Sequence, residues 1–122
     1  MTINLEFPHG IPAFEAETRF RLIDREPLLF LESETNPGLS FLLLPVALID
    51  PEYRMAISAE DRDTIGMVDD SRLMCLAVIT AAGDSPATAN LLAPVVINLD
   101  NGRGVQAVRS DSVYSHKKAI CS

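Results

Sequence analysis

The residues best suited to chemistry in this sequence are adjacent carboxylates, two histidines and two cysteines. The carboxylates occur as Glu60 with Asp61 and as Asp69 with Asp70. Acid–base catalysis by a carboxylate pair needs two groups that meet in environments with different effects on their protonation. Neighbouring residues on a helix or strand point in different directions, so both pairs are predicted to lie on solvated surface.

A cysteine–histidine couple is the nucleophilic arrangement to consider, from Cys75 with His9 or His116. Cys75 lies in the apolar run Leu73–Val78, which predicts a buried, unreactive thiol with a raised pKa. Cys121 is the penultimate residue and is expected to be a second free thiol. The sequence contains no local metal-ligand spacing, phosphate loop, nucleophile elbow or dinucleotide fingerprint. We therefore predict no metal, no cofactor and no enzyme activity.

The elements that would position these residues are predicted to be short strands. Eight prolines and six glycines divide the chain into short apolar runs, as is typical of antiparallel β structure. Asn36-Pro37-Gly38 predicts a turn, and Asn101-Gly102 predicts a type I′ hairpin, since both residues tolerate positive φ. The predicted strands are Thr2–Phe7, Phe20–Ile23, Leu28–Ser33, Leu39–Leu44, Arg54–Ile57, Leu73–Thr80, Pro94–Leu99 and Val105–Arg109.

One helix is predicted, from Ala59 to Ile65. Ser58 with carboxylates downstream has the pattern of a capping box, and Gly66 is placed to end the helix. With 122 residues and 48% apolar content, the chain is predicted to form a single domain, residues 1–122. The expected class is mainly β, a small antiparallel β-barrel-like domain with one short helix.

Composition also limits the kinds of partner. The longest apolar run is far short of the roughly 20 residues of a membrane helix, and the start of the chain lacks a signal-peptide pattern. We expect a cytoplasmic protein that does not contact membranes and is a monomer when free. The net charge of −7 disfavours direct nucleic-acid binding and favours a basic protein partner.

Two segments have sequence patterns more distinctive than a generic β domain requires. The first is Phe7-Pro8-His9-Gly10-Ile11-Pro12-Ala13-Phe14-Glu15, a loop stiffened by two prolines. The second is Ala87-Thr88-Ala89-Asn90-Leu91-Leu92-Ala93-Pro94-Val95-Val96-Ile97-Asn98, in which Asn90 and Asn98 are predicted to bond neighbouring backbone.

Together these segments resemble the FliW family of flagellar assembly factors, which carries a Phe-Pro-x-Gly-Ile-Pro-Gly-Phe-Glu opening and a Thr-Ala-Asn-Leu-x-Ala-Pro-Ile-Val-Ile-Asn block at this spacing. Shorter family-like stretches include Pro51-Glu52-Tyr53, Gly104-Val105-Gln106 and Tyr114-Ser115-His116. Ala13 stands where the family usually has glycine. If this position requires positive φ, alanine costs about 1 kcal/mol.

The resemblance implies a small β-barrel-like protein with two partners: CsrA, a basic RNA-binding translational repressor, and flagellin, the filament subunit. It implies that the protein relieves CsrA repression of flagellin translation and releases CsrA when flagellin accumulates. It also implies that CsrA is antagonised from beside its RNA surface.

Two groups of residues are the predicted partner-binding positions. For the apolar, unfolded ends of flagellin we expect a surface at the loop and at the entrance to the following strand, formed by Phe7, Ile11, Phe14, Asn90, Leu91 and Pro94. For basic CsrA we expect the acidic residues Glu60, Asp61, Asp63, Asp69 and Asp70. The alternative functions are a small RNA-binding β-barrel and, with less support, a hydrolase that uses Cys75 with a histidine.

Overall fold

The computed structural model describes residues 2–81 and 83–120. These residues form eight strands and two short helices. In chain order the elements are β1 Thr2–Glu6, β2 Arg19–Arg25, β3 Leu28–Ser33, β4 Ser40–Pro45, α1 Val46–Ile49, α2 Ala59–Thr64, β5 Leu73–Thr80, β6 Thr88–Asn98, β7 Arg103–Gln106 and β8 Lys118–Ala119. The predicted mainly β class is confirmed.

Seven of the strands form a closed barrel, also as predicted. The sheet runs β5-β4-β3-β2-β1-β7-β6, and β6 returns to pair with β5, while β8 adds to β6 outside the ring. The pairs are antiparallel except at β1 and β7, where Glu6 and Arg103 form the single parallel pair. The barrel is therefore completed by one narrow seam between β1 and β7.

The barrel interior is filled by alternate side chains of the strands. Phe20 and Leu22 of β2 point inward beside Leu29 and Leu31 of β3, and all four are buried. Each large apolar side chain buried in this way contributes about 1.5–3 kcal/mol to folding. β6 is buried on both faces along residues 93–98, because Ile65 at the end of α2 packs with Val96 outside the barrel.

Phe7 follows the seam directly and places its ring in the barrel core. Its ring is fully buried and meets the Phe20 ring edge to face, with centroids 5.2 Å apart. A Cβ at Gly104 would lie 2.6 Å from the Phe7 ring. Glycine at this position therefore lets the ring pack directly against the β7 backbone.

The helix α2 forms as predicted. The Ser58 hydroxyl accepts a hydrogen bond from the Asp61 N–H at 3.1 Å. At the other end, the Gly66 N–H donates to the Asp63 carbonyl and the Met67 N–H donates to the Arg62 carbonyl, which is the Schellman pattern. The helix therefore ends before Gly66.

Two side-chain amides, one buried and one exposed, connect the end of α2 to the barrel. Asn98, which is 1% exposed, and Asn101 each donate a side-chain N–H to the Ile65 carbonyl at 2.9 Å. The predicted structural role of Asn98 is confirmed, because its side chain bonds backbone at the turn after β6.

The predicted strand Arg54–Ile57 is wrong. The Arg54 N–H donates to the Tyr114 hydroxyl at 3.0 Å, and its carbonyl accepts from the Arg109 guanidinium. Distant side chains thus take the backbone groups that a strand would have paired. The prediction also missed α1 and β8, began β6 six residues late and placed β7 at residues 105–109 instead of 103–106.

The predicted type I′ turn is also wrong. The last pair of the hairpin is Asn98 with Arg103, so the loop has four residues, Leu99 to Gly102. Gly102 has φ 75°, but Asn101 is not in the left-handed region that a type I′ turn requires of both residues. The Gly102 N–H donates instead to the Asn98 carbonyl at 2.8 Å, which closes a wider turn.

Two other turns have the same hydrogen-bond pattern but differ in the residue at their third position. The Leu39 N–H donates to the Asn36 carbonyl across Pro37-Gly38, and the Phe14 N–H donates to the Ile11 carbonyl across Pro12-Ala13. Both have the type II pattern, with φ 92° at Gly38 and φ 76° at Ala13. The position of Ala13 therefore has the positive φ at which alanine is disfavoured.

The two turns make a matched pair for mutation. Ala13→Gly is expected to raise the free energy of unfolding by about 1 kcal/mol by relieving the left-handed backbone. Gly38→Ala should lower it by about the same amount, because alanine is disfavoured at φ 92° and the added Cβ would meet nothing within 4 Å that adds a clash. Urea unfolding of both variants measures the effects. Destabilisation by Ala13→Gly would show that this φ costs less than the added entropy of the unfolded chain.

Candidate functional site

The segment Pro8–Glu15, here called the N-terminal loop, covers one end of the barrel between two cavities. The first, the mouth cavity, has a volume of about 270 Å³ and lies over the open end of the barrel. Its lining consists of Ile11, Pro12, Phe41, Val78, Thr80, Thr88, Asn90, Gln106, His116 and Lys117.

The second cavity, the acidic cleft, has a volume of about 230 Å³ and separates the loop from α2. Its lining consists of His9, Gly10, Pro12, Glu15, Glu60, Asp61, Val105 and Gln106. Pro12 and Gln106 belong to both cavities, so the two adjoin along the loop. The structure thus brings both sequence motifs and part of the acidic stretch to one face.

The apolar residues predicted to bind a partner are mostly buried. Phe7 is fully buried, and Ile11 and Leu91 are 4% and 2% exposed, because all three pack into hydrophobic clusters. Pro94 is buried within β6. Phe7, Leu91 and Pro94 therefore offer a partner no accessible side chain, which corrects the prediction for these three residues, whereas Ile11 still lines the mouth cavity.

Phe14 is the predicted apolar residue that remains accessible. It is 39% exposed, and its ring meets Phe41 edge to face with centroids 5.9 Å apart. Phe41 in turn lines the mouth cavity. Phe14 therefore extends the apolar surface from the mouth cavity towards solvent.

Asn90 supports the strand that lines the mouth. Its Oδ1 accepts hydrogen bonds from the backbone N–H groups of Leu92 and Ala93 at 3.1 and 3.0 Å. On β5, Leu76 faces Val95 while Val78 already faces Asn90, so residues 91–94 bulge from the ladder. The predicted backbone-bonding role of Asn90 is confirmed, and its place in the mouth cavity keeps it on the candidate surface.

The acidic residues divide into two groups. Glu60 and Asp61 lie in the first turn of α2 and line the acidic cleft. Asp63 is exposed on the same helix, and Asp69 and Asp70 are exposed in the turn before β5. Glu60 and Asp61 are therefore the acidic positions that share a cavity with the N-terminal loop.

A buried arginine side chain that the sequence reasoning missed fixes the chain after β7, where the Arg109 N–H donates to the Leu92 carbonyl of β6. The Arg109 side chain is 5% exposed and makes a two-pronged ion pair with Asp111, with N–O distances of 2.9 and 3.0 Å. Its guanidinium also stacks on the rings of Tyr53 and Tyr114, 5.4 and 4.7 Å from their centroids. These hydrogen bonds raise the pKa of Arg109 and lower the pKa of Asp111.

The two tyrosines extend this cluster to the backbone. The Tyr53 hydroxyl donates to the Leu91 carbonyl at 2.8 Å, and burial raises the Tyr53 pKa. Tyr114 belongs to the family-like stretch Tyr114-Ser115-His116, but no motif indicated that Arg109 would stack on both rings, whose centroids are 4.4 Å apart. The cluster is structural, because its charge is paired and its hydroxyls bond backbone.

Cys75 is separated from both histidines. It lines a cavity with Val46, Tyr53 and Met55, whereas His116 and His9 line the two cavities at the loop end. Burial raises the pKa of the Cys75 thiol to about 11, although the Arg109 charge partly opposes the shift. No His, Cys, Asp and Glu side chains cluster as metal ligands within residues 2–81 and 83–120, and Cys121 lies outside these residues.

The structure is thus a small closed β-barrel with two adjoining cavities at one end. Comparison with known proteins gives the family. A family model described as FliW protein matches residues 2–120. The chain therefore belongs to the FliW family.

Individual relatives agree with this assignment. The flagellar assembly factor FliW of Syntrophomonas wolfei subsp. wolfei is 32% identical over 118 residues, which cover 93% of this chain and 76% of the relative. The flagellar assembly factor FliW of Heliobacterium modesticaldum is 35% identical over 121 residues, covering 95% and 78%. A crystal structure of the flagellar assembly factor FliW superposes with a TM-score of 0.88 at 26% identity, covering 98% of this chain and 86% of that one.

No helix among residues 2–81 and 83–120 is long and apolar enough to cross a membrane.

Thiol labelling tests the environment of Cys75. In a Cys121→Ser background, the native protein should react with a thiol reagent about a hundredfold more slowly than the unfolded chain near neutral pH, because the raised pKa depletes the thiolate. The native rate should climb as the pH approaches 11. Rapid labelling of the native protein at neutral pH would contradict a partly buried, protonated thiol.

Proposed function

We propose that this protein is a flagellar assembly factor that binds CsrA and flagellin in turn, relieving CsrA repression of flagellin translation without catalysing a reaction. Membership of the FliW family supports the role in flagellar assembly. The observation that best supports two alternating partners is the contact between the mouth cavity and the acidic cleft, which share Pro12 and Gln106. A protein seated in one cavity would extend over the other.

The acidic cleft suits the basic partner. Glu15, Glu60 and Asp61 give it negative charge, with His9 as the basic group in its lining. Docking a chain of net charge −7 beside the RNA surface of CsrA would lower the positive potential on which RNA affinity depends. CsrA would then be antagonised without occupation of its RNA groove.

The mouth cavity suits the apolar ends of flagellin. Ile11, Phe41 and Val78 line it, and the exposed part of Phe14 enlarges the apolar surface at its rim. Segments that stay unfolded until the filament assembles expose apolar side chains, and a partly covered cavity can accept them.

Removing charge from the acidic cleft should slow association with CsrA. Glu60→Gln with Asp61→Asn is expected to reduce the association rate several-fold at low salt, since opposite charge steers encounter. Asp69→Asn with Asp70→Asn removes the same charge outside the cleft and is the matched control. Stopped-flow measurements at two salt concentrations give both rates. Equal slowing in the two variants would place the interface elsewhere on the acidic surface.

Truncating Phe14 should weaken capture of flagellin. Phe14→Ser removes the exposed ring beside the mouth cavity and is expected to reduce flagellin affinity about tenfold, the effect of losing one apolar contact residue. Val113, which is 72% exposed, provides the control variant Val113→Ser. Calorimetric titration measures the affinities, and circular dichroism confirms that both variants remain folded. Unchanged affinity in Phe14→Ser would remove the rim of the mouth from the flagellin site.

A further inference from the structure

A second pair of cavities lies around α1. One, of about 540 Å³, is lined by Asp24, Glu26, Pro27, Leu29, Pro45, Leu48 and Met74. The other, of about 360 Å³, includes Val46, Asp50, Tyr53, Met55 and Cys75 in its lining. Pro45 and Met74 belong to both, so the cavities form one continuous depression, here called the α1 groove.

The α1 groove lies at the opposite end of the barrel from the N-terminal loop. Strand β4 enters at the loop end, where Phe41 lines the mouth cavity, and ends at Pro45 in the α1 groove. Strand β5 runs the other way, from Met74 in the groove to Thr80 at the mouth. A protein in the α1 groove would therefore leave the loop end free.

The surface of the α1 groove is apolar and adaptable. Leu48 is 64% exposed and Met55 is 40% exposed, although both are large apolar residues. Methionine side chains adjust to irregular apolar partners, and both Met55 and Met74 line the groove. Exposed apolar side chains around a cavity mark an interaction surface.

The charged groups of the α1 groove have one sign. Every charged residue that lines it is acidic: Asp24, Glu26 and Asp50. Asp24 and Asp50 accept hydrogen bonds from the backbone N–H groups of Glu26 and Glu52 at 3.0 Å, which orients these two carboxylates. The groove thus combines an apolar floor with an acidic rim.

We propose that the α1 groove binds an amphipathic basic segment of a partner protein, with apolar side chains in the two cavities and Lys or Arg beside the acidic rim. The charge complementarity selects this occupant, since an acidic or purely apolar segment would bring no positive charge to the three carboxylates. This surface is separate from the face used in the proposed function, and it gives the protein a second place to bind.

The test uses a short synthetic amphipathic peptide of leucine and lysine and the protein labelled at its methionine methyl groups. Binding should shift the resonances of Met55 and Met74, while Met67, which packs beneath α2, should not respond. Leu48→Ser should reduce the affinity for the peptide about tenfold. Val68, which is 60% exposed outside the groove, supplies the control Val68→Ser, for which less than about a twofold change is expected.

Charge removal completes the test. Asp24→Asn with Asp50→Asn keeps the side-chain carbonyl acceptors of both residues. The double variant should weaken peptide binding several-fold and reduce the salt dependence of the affinity. The proposal is overturned if the peptide shifts the methyl resonance of Met67 instead of those of Met55 and Met74. It is also overturned if Leu48→Ser and Val68→Ser reduce the peptide affinity equally. Titrations with CsrA and flagellin in the same samples separate this proposal from the proposed function. If the protein binds the peptide but neither CsrA nor flagellin, the proposed function is wrong and the α1 groove proposal stands.

Discussion

The packing of the Phe7 ring against the backbone of Gly104 is the interaction on which the rest of the structure depends. The seam between β1 and β7 has a single residue pair, which is too little to close a barrel by hydrogen bonding. The buried ring completes the closure from inside, and the chain then leaves the seam directly into the N-terminal loop. This contact thus lies between the seam that closes the barrel and the loop that lines the two loop-end cavities.

Sequence reasoning found the features that depend on local chemistry. Ser58 and the residues around Gly66 determine α2, and Pro37-Gly38 determines a turn, because capping and backbone preferences act over a few residues. It failed where groups distant in sequence determine the local backbone structure. The backbone of Arg54 is bonded by side chains about 55 and 60 residues away in sequence, so its apolar neighbours could not show that no strand forms there.

The candidate site shows the same division. The two motifs were identified as belonging together, and the structure places Pro12 and Asn90 in one cavity. The burial of individual side chains was not predictable from the motifs. An apolar residue in a loop has the same sequence pattern whether its side chain faces the core or a partner. Ile11 and Phe14 lie three residues apart in the N-terminal loop, yet one is buried and the other is accessible. The α1 groove had no sequence signal, because its lining comes from separate strands and turns.

The two side-chain amides that hold the end of α2 bear on the proposed partner contact at the acidic cleft. A helix of six residues is too short to persist by itself. Asn98 and Asn101 join its last turn to the β6–β7 hairpin, and Ser58 caps its start. Glu60 and Asp61 therefore project from a backbone that is already ordered before any partner arrives. Association then loses little conformational entropy at this helix, and preorganised carboxylates of this kind favour rapid recognition over slow mutual folding.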